Sequence, residues 1–241
     1  MKIIKIKEAK SSNSAALELF EKQDLKEGTV IWVENQTNGR GQNTNVWESE
    51  PGQNLTISIV LRPLFLKPEN QAYLSKIVSL GLADYVGLFC SEVSVKWFND
   101  IFIRDKKVAG ILIENTWLGQ KFNASIIGIG LNLNQEKFSG SLPNAVSLKM
   151  MTEVPFVLEE SLKLLHGLIM TRYEQLKESD FKKIDESYNS LLYRSGKECS
   201  FVKDGEIFKA IIIKVEANGH LQLKHNDGRV GCYGMHEIKM I

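Results

Sequence analysis

A long polar segment between two apolar runs is the feature that most constrains the fold of this chain. Thr29–Val33 reads TVIWV and Asn54–Leu61 reads NLTISIVL, and both runs are typical of buried strands. Between them, the eighteen residues of Glu34–Pro51 are rich in Asn, Gly, Thr and Ser and almost free of apolar side chains. Such a long loop without periodicity is unusual inside a compact domain, and loops of this kind are commonly lids or binding loops. We therefore expect Glu34–Pro51 to serve a binding site.

The rest of the first 192 residues predicts an α+β fold with a mixed sheet flanked by helices. Helical spacing or capping predicts helices near Ser14 and over Glu69–Phe89, Val157–Leu176 and Phe181–Leu192. Further strands are expected at Val93–Trp97, Ile101–Ile103, Lys107–Trp117 and Asn123–Asn132. The nearly continuous apolar residues of Lys107–Trp117 predict a strand buried on both faces.

The texture of the sequence changes near Arg194. Residues 193–241 contain short β-like runs separated by the turn signals Lys203-Asp204-Gly205, Asn218-Gly219 and Asn226-Asp227-Gly228. Five short strands in under fifty residues predict a small antiparallel barrel appended to the α+β domain. We place the two domains at residues 1–192 and 193–241.

Composition excludes several classes of protein. The balance of 30 basic against 29 acidic residues argues against a general nucleic-acid or membrane binder. No stretch reaches the roughly 20 apolar residues of a membrane helix. Cys90, Cys199 and Cys232 are widely spaced, which suits reduced thiols in a cytosol, and the four histidines lack metal-ligand spacing. We expect a cytoplasmic protein without a zinc site.

Two polar motifs could carry chemistry. In Asn38-Gly39-Arg40-Gly41-Gln42, glycines allow close approach of a ligand and the arginine offers a fork of donors to a carboxylate or phosphate, although Gly-Arg-Gly also occurs in plain turns. Lys96-Trp97-Phe98-Asn99-Asp100 places a cation, an amide and a carboxylate at one strand end. That combination suits a nucleotide and Mg²⁺, and an ordinary hairpin turn with solvated charges is the alternative.

Three further segments are candidates for the same site. Lys106 and Lys107 begin the apolar strand that ends at Glu114. They could form an ordinary polar end of the strand, or a lysine could face a pocket as a cation. Gly128-Ile129-Gly130-Leu131-Asn132 suggests a strand approached closely by a ligand, or a bulge. Ser11-Ser12-Asn13-Ser14 reads as a helix N-cap or as a set of donors and acceptors for a small polar ring.

Together and in this order, these segments resemble the catalytic domain of biotin–protein ligases. The resemblance covers the whole chain, with Trp47 downstream of the Gly-Arg-Gly loop and a C-terminal segment similar to the SH3-like tail of that family. It implies a class II synthetase-like domain that activates biotin with Mg-ATP to biotinyl-5′-AMP and transfers biotin to a lysine of a biotin carboxyl carrier protein. ATP and Mg²⁺ would act as cosubstrate and metal, with no tightly bound cofactor.

The resemblance also implies a role for each matching residue. The biotin-binding residues would be Ser11, Ser12, Asn13, Gln36, Gly39, Arg40, Gly41, Lys107 and Gly110. The nucleotide-binding residues would be Trp47, Lys96, Asn99, Asp100 and Asn132, with Asp100 near the Mg²⁺ ion. The catalytic residues would be Arg40, Lys96 and Lys107. Because a carboxylate and a polyphosphate repel each other, we expect these three cations to converge in one pocket.

Two positions depart from the family pattern. Gln42 stands where the family has a second arginine, and the lost charge-assisted contact would be worth about 1.5–3 kcal/mol. Phe98 replaces the usual proline of Lys-Trp-Pro-Asn-Asp. The change at Gln42 affects how tightly the adenylate is expected to be held and how the loop is expected to close. The change at Phe98 is expected to loosen its turn, while the chemistry-bearing neighbours remain.

Two other functions compete with biotin ligation. Lipoate or octanoate ligases share the architecture, and a non-catalytic sensor of biotin or its adenylate would use the same pocket. Repressor members of the family carry an N-terminal helix-turn-helix domain, and since the first motif here begins at residue 11, we expect no DNA binding. Family members are monomers or dimers that pair through the sheet, so a homodimer is left open.

Overall fold

The computed structural model of the chain describes residues 1–42 and 45–241. The strands of the first sheet are β1 (Ile3–Ala9), β2 (Thr29–Gln36), β3 (Leu55–Leu61), β4 (Val93–Lys96), β5 (Asp100–Ile103), β6 (Lys106–Leu118) and β7 (Lys121–Leu131). The α-helices are α1 (Ser12–Lys22), α2 (Ala72–Gly87), α3 (Leu148–Thr152), α4 (Leu158–Lys177) and α5 (Phe181–Ser190). The strands of the second sheet are β8 (Glu198–Lys203), β9 (Glu206–Val215), β10 (Leu221–His225), β11 (Val230–Tyr233) and β12 (Lys239–Met240).

The first sheet is mixed, as predicted. Its strand order is β1-β2-β3-β7-β6-β5-β4, in which β1 pairs in parallel with β2 and every other pair is antiparallel. Helices α2 and α4 cover one face and pack against each other, whereas α1 lies on the other face. The fold class inferred from the sequence is therefore confirmed.

Strand alternation sends successive residues of β7 to opposite sides of this sheet. Ile127, Ile129 and Leu131 belong to the large hydrophobic core under α2 and α4. Ile126 instead belongs to the small core under α1, and Gly128 is next on that same side. The α1 side therefore loses side-chain volume toward the end of β7, and this leaves space for a cavity.

The second sheet is antiparallel, with the order β11-β10-β9-β8-β12. Buried residues such as Phe201, Ala210 and Leu221 continue the large core of the first sheet without a break. Lys76 on α2 adds a polar connection, since its ammonium donates to the Glu216 backbone carbonyl at 2.7 Å. The predicted five-stranded β region is confirmed, while closure of this sheet into a barrel stays a prediction.

Several expected boundaries needed correction. The predicted helix Glu69–Phe89 consists of a 3-10 turn at Pro68–Asn70 followed by α2. Strand β1 and helix α3 were not predicted from the sequence. The expectation that β6 is buried on both faces was wrong for its second half, because only Val108–Ile111 are fully buried. In the described residues, β5 pairs with β6 only as far as Gly110, so the remainder of β6 has a neighbouring strand on one side only.

No helix in the described ranges combines the length and the apolar composition that crossing a bilayer requires.

Candidate active site

A cleft with a cavity volume of about 110 Å³ lies on the α1 side of the first sheet, under the polar loop. Most of the residues singled out in the sequence meet here. Those that line the cleft are Ser11, Ser12, Asn13, Gln36, Arg40, Gly41, Trp47, Asn99, Asp100, Lys107 and Gly110. Segments far apart in the chain are thus brought together by the adjacency of β2, β3, β7, β6 and β5.

The floor of the cleft is built from strand glycines. A Cβ atom added at Gly130 would lie 2.2 Å from Cε2 of Trp47, and one at Gly128 would lie 2.4 Å from Oδ1 of Asn13. Any side chain at these two positions would therefore collide with residues of the loop or of α1. The close approach that the sequence suggested at these glycines is present, and the groups that approach are protein side chains.

Hydroxyl and amide groups form one end of the cleft. Ser11 caps α1 by accepting a hydrogen bond from the Ser14 backbone amide at 3.1 Å. Gln36 accepts from the Ser12 backbone amide at 2.7 Å, and in the described part of the chain its side-chain nitrogen has no partner. Ser58 on β3 lies 2.6 Å from Asn13 Oδ1 and 2.8 Å from the Ser12 hydroxyl.

Proton counting assigns the direction of these hydrogen bonds. The amide oxygen of Asn13 can only accept, so the single hydroxyl proton of Ser58 goes to it. Ser12 then donates to Ser58 and keeps a lone pair free. A ligand thus meets an acceptor at Ser12 and a donor at Gln36.

Charged groups form the other end of the cleft. Lys107 Nζ lies 2.7 Å from Asp100 Oδ1 and 5.5 Å from the ring centroid of Trp47. Lys96, opposite Asp100 in the β4–β5 pair, lies with its ammonium 5.3 Å from the ring of Phe102. Burial lowers the pKa of Lys96, the nearby Asp100 carboxylate raises it, and the charge of Lys107 lowers it further.

The stem of the polar loop is ordered by backbone hydrogen bonds. The Trp47 amide donates to Gly39 at 3.0 Å, and the Gly41 amide donates to Asn45 at 2.8 Å. Gly39 admits this packing because a Cβ there would lie 2.3 Å from the Trp47 carbonyl oxygen. Residues 43 and 44, which belong to the predicted binding loop, lie outside the described residues.

Three predicted site residues do not line the cleft. Gly39 supports the stem of the loop, and Lys96 lies beyond Asp100. Of the three cations that were expected to converge, only Arg40 and Lys107 therefore line the cleft. Asn132 is buried, and its amide donates to the Val146 carbonyl at 3.1 Å.

The sequence reading missed Ser58 and Glu114 as parts of the site. Ser58 connects Ser12 and Asn13, and the Glu114 carboxylate accepts from Asn13 Nδ2 at 2.6 Å. Arg40 Nη2 lies 3.0 Å from both carboxylate oxygens of Glu114. A polar residue at a buried position of the apolar strand NLTISIVL was the available signal for Ser58.

The donors of the cleft suit a Mg²⁺ ion that is held mainly by nucleotide phosphates. Asp100 supplies one carboxylate to the lining, and within residues 1–42 and 45–241 no group of three or more His, Cys, Asp or Glu could hold a metal. Mg²⁺ in phosphate-transfer sites is commonly bound through one or two carboxylates plus substrate phosphates. The residues therefore fit an ion that enters with ATP.

A second cleft, with a cavity volume of about 460 Å³, adjoins the first and shares Gln42, Asn99 and Ile111 with it. It runs along the part of β6 beyond the β5 pairing, past Ile113 and Asn115, to the loops of the second sheet. Lys76 reaches its wall, where its ammonium is 2.5 Å from Asp185 Oδ1, and burial lowers the pKa of this lysine. The two clefts together form one continuous depression.

Comparison with known proteins agrees with this geometry. The model of the biotin/lipoate A/B protein ligase family matches residues 6–132. The chain is 36% identical over 113 residues to the bifunctional ligase/repressor BirA of Bacillus subtilis (strain 168), covering 46% of this chain and 34% of that protein. It is 35% identical over 126 residues to the biotin–[acetyl-CoA-carboxylase] ligase of Paracoccus denitrificans, covering 51% of each. The matched region thus spans about a third to a half of these curated relatives.

Among solved structures, the biotin protein ligase of Aquifex aeolicus in complex with biotin and ATP has a TM-score of 0.84 and 23% sequence identity, over 100% of this chain and 98% of that chain. At this level of identity the likeness establishes the fold.

Proposed function

The chain belongs to the biotin/lipoate A/B protein ligase family, and from this premise we propose that it activates biotin with ATP and transfers it to a lysine of a biotin carboxyl carrier protein. The observation that carries the proposal is the pairing of two unlike ends in one cleft. A neutral polar end with Ser12 and Gln36 and a charged end with Lys107 belong to the same lining. Arg40 adds a second cation to that lining from its position against Glu114. Biotin has the matching halves, a cyclic urea and a carboxylate.

The neutral end complements the urea ring. Gln36 Nε2 would donate to the urea carbonyl oxygen, and Ser12 Oγ would accept from a urea N–H. Asn13 would contribute by fixing this frame, because both of its N–H groups already donate within the protein, to Leu112 at 3.1 Å and to Glu114 at 2.6 Å. This orientation places the carboxylate of biotin toward Arg40 and Lys107.

Arg40 and Lys107, the two cations of the lining, would reduce the repulsion between the carboxylate and the α-phosphate of ATP. A carboxylate oxygen attacks the α-phosphorus and pyrophosphate leaves, which gives biotinyl-5′-AMP. Mg²⁺ bound to the ATP phosphates near Asp100 would supply further charge neutralisation. Trp47, Asn99, Lys96 and Asn132 would surround the nucleotide, the last two from positions just behind the lining.

The second half-reaction needs access for a protein lysine. Its neutral ε-amine attacks the acyl carbon of the mixed anhydride, AMP leaves, and an amide bond forms. We assign the second cleft and the adjacent edge of β6 to the carrier, because they are continuous with the first cleft through Gln42 and Asn99. Within residues 1–42 and 45–241, β5 pairs with β6 only as far as Gly110, so an extended carrier segment could add to the rest of β6 as a neighbouring strand.

The domain boundary, the location in the cell and the oligomeric state concern the molecule as a whole. We propose a boundary between the catalytic domain and the C-terminal domain at residues 192–193, in the segment between α5 and β8. We place the protein in the cytoplasm. A homodimer would use the same edge of β6 as the carrier, so sedimentation with and without carrier would show the two in competition.

Acylation of a carrier domain tests the proposed function. The chain is incubated with ATP, Mg²⁺, a biotin carboxyl carrier domain and either biotin or lipoate, and carrier mass and pyrophosphate are measured. We expect a mass increase with biotin and biotin-dependent pyrophosphate release. Acylation by lipoate alone would identify a lipoate ligase, and binding of biotin without pyrophosphate release would identify a sensor.

A further inference from the structure

Glu114 lies where the polar loop, α1 and β6 meet. One of its carboxylate oxygens accepts from Asn13 Nδ2 at 2.6 Å, and both oxygens lie 3.0 Å from Arg40 Nη2. Asn13 is almost completely buried, whereas Arg40 and Glu114 are partly exposed. The carboxylate therefore connects Arg40 of the polar loop to the buried Asn13 of the neutral end.

The geometry of this contact leaves most of the arginine available. A guanidinium group has five N–H donors, and Arg40 uses only those of Nη2 on Glu114. Within the described ranges, the three donors on Nε and Nη1 have no protein partner, and Arg40 lines the cleft. Glu114 thus grips one edge of the guanidinium while the rest can reach an anion.

We propose that Glu114 is a positioning residue, which holds Arg40 over the cleft with its free donors directed to the carboxylate and phosphate groups of the substrates. This role of Glu114 rests on the proposed function, because the anions that Arg40 would contact are those of biotin and ATP. Glu114 itself does not touch the substrates. Removal of its charge would let the loop arginine sample orientations that are not productive.

A charge-only substitution tests the grip on Arg40 without any substrate. Glu114→Gln keeps an oxygen that can accept from Asn13 but removes the ion pair. The matched control is Glu34→Gln on β2, whose partner is Lys5 at 2.8 Å and whose side chain is 37% exposed, against 39% for Glu114. In the ligand-free protein, we expect trypsin to cut the Arg40–Gly41 bond about threefold to fivefold faster in Glu114→Gln, as the loss of an exposed pair allows, and at the parent rate in the control.

A double-mutant cycle tests the role in turnover. We expect Glu114→Gln to lower kcat/KM for biotin about fivefold when Arg40 is present and less than about twofold in an Arg40→Gln background, since the two residues act as a unit. A merely structural role would lower kcat/KM equally in both backgrounds, together with the melting temperature.

Equal trypsin rates in Glu114→Gln and in the control, or equal effects in both backgrounds, would overturn the inference. If the unmodified chain forms no biotinyl-AMP, the proposed function fails, and unchanged cleavage at Arg40–Gly41 would separately show that Glu114 does not hold the arginine.

Discussion

The two faces of the seven-stranded sheet are built from the same strands but differ in what covers them. On one face, side chains such as Ile127 and Ile129 pack against α2 and α4 in a continuous core. On the other face, Gly128 and Gly130 alternate with them and support a polar cleft under the loop. Within a single period-two pattern, one face is filled by packed apolar side chains, and the other leaves the cleft to which we assign substrate binding.

Lys107→Ala is expected to give the largest change, and it should affect the cleft face only. The ammonium is the cleft-lining partner of Asp100, so its loss removes charge stabilisation where the carboxylate and α-phosphate meet. We expect biotinyl-AMP formation to fall at least about 100-fold with little change in melting temperature. Lys106→Ala, at the exposed mouth of the same strand, is the control and should keep near-parent turnover; near-parent turnover in Lys107→Ala would remove this lysine from the mechanism.

Gly130→Ala tests the glycine floor. Its Cβ would lie 2.2 Å from the Trp47 indole, so the indole must move away from the nucleotide position assigned to it. We expect adenylate formation to fall about tenfold or more, with the unfolding free energy changed by less than about 1 kcal/mol because Trp47 belongs to the loop. Gly140→Ala adds a Cβ with nothing within 4 Å and should leave both quantities unchanged. A Gly130→Ala enzyme of parent activity would show that the glycine floor is not required.

The same substitution on the opposite face should produce the opposite result. In α2, a Cβ at Gly81 would lie 2.8 Å from Ile169 Cγ1 and 2.9 Å from Ile169 Cα on α4. We expect Gly81→Ala to lower the unfolding free energy by about 1–3 kcal/mol through overpacking, with KM for biotin unchanged. Gly167→Ala, in open space on α4, should instead stabilise by about 0.5–1 kcal/mol. Denaturant unfolding and steady-state kinetics separate these results, and a raised KM in Gly81→Ala would contradict the division between the faces.

The smallest expected effect is a pH dependence of the helix-covered face. Burial lowers the pKa of His166 on α4, which lies 2.9 Å from the Gly28 carbonyl oxygen. The unfolded chain therefore binds a proton at His166 more readily than the folded protein does. The contribution of this histidine to the free energy of unfolding is full above about pH 6.5 and declines as the pH falls below that value. We expect the melting temperature to fall less between pH 7 and pH 5.5 in His166→Gln than in the parent. An identical decline in both proteins would show that His166 does not contribute.

Much of the fold could be predicted because periodicity reports burial directly. The expected strand at Asn54–Leu61 and the helix at Val157–Leu176 correspond to β3 and α4 within one residue at each end. β1 could not be recognised, since Lys5, Lys7 and Glu8 interrupt its apolar pattern and its order depends on parallel pairing with β2. Edge strands of this kind are specified by their neighbours as much as by their own residues.

The candidate site was predictable as a set of residues but not as a network. Local motifs indicated Arg40 and Lys107 as site residues. An arginine between two glycines, and a lysine at the polar end of an apolar strand, are patterns that can be recognised within a short segment. The contact of Arg40 with Glu114 joins residues 74 positions apart and depends on how the loop folds back over β6. The position of Lys96 outside the lining likewise follows from the β4–β5 register, which no local pattern reports.

A crystal structure of the chain with biotin would show whether the first cleft is the biotin site. We expect electron density for biotin in the first cleft, with the urea ring between Ser12 and Gln36 and the carboxylate within reach of Arg40 and Lys107. Density in another place, or an empty first cleft at a biotin concentration that saturates binding in solution, would contradict it.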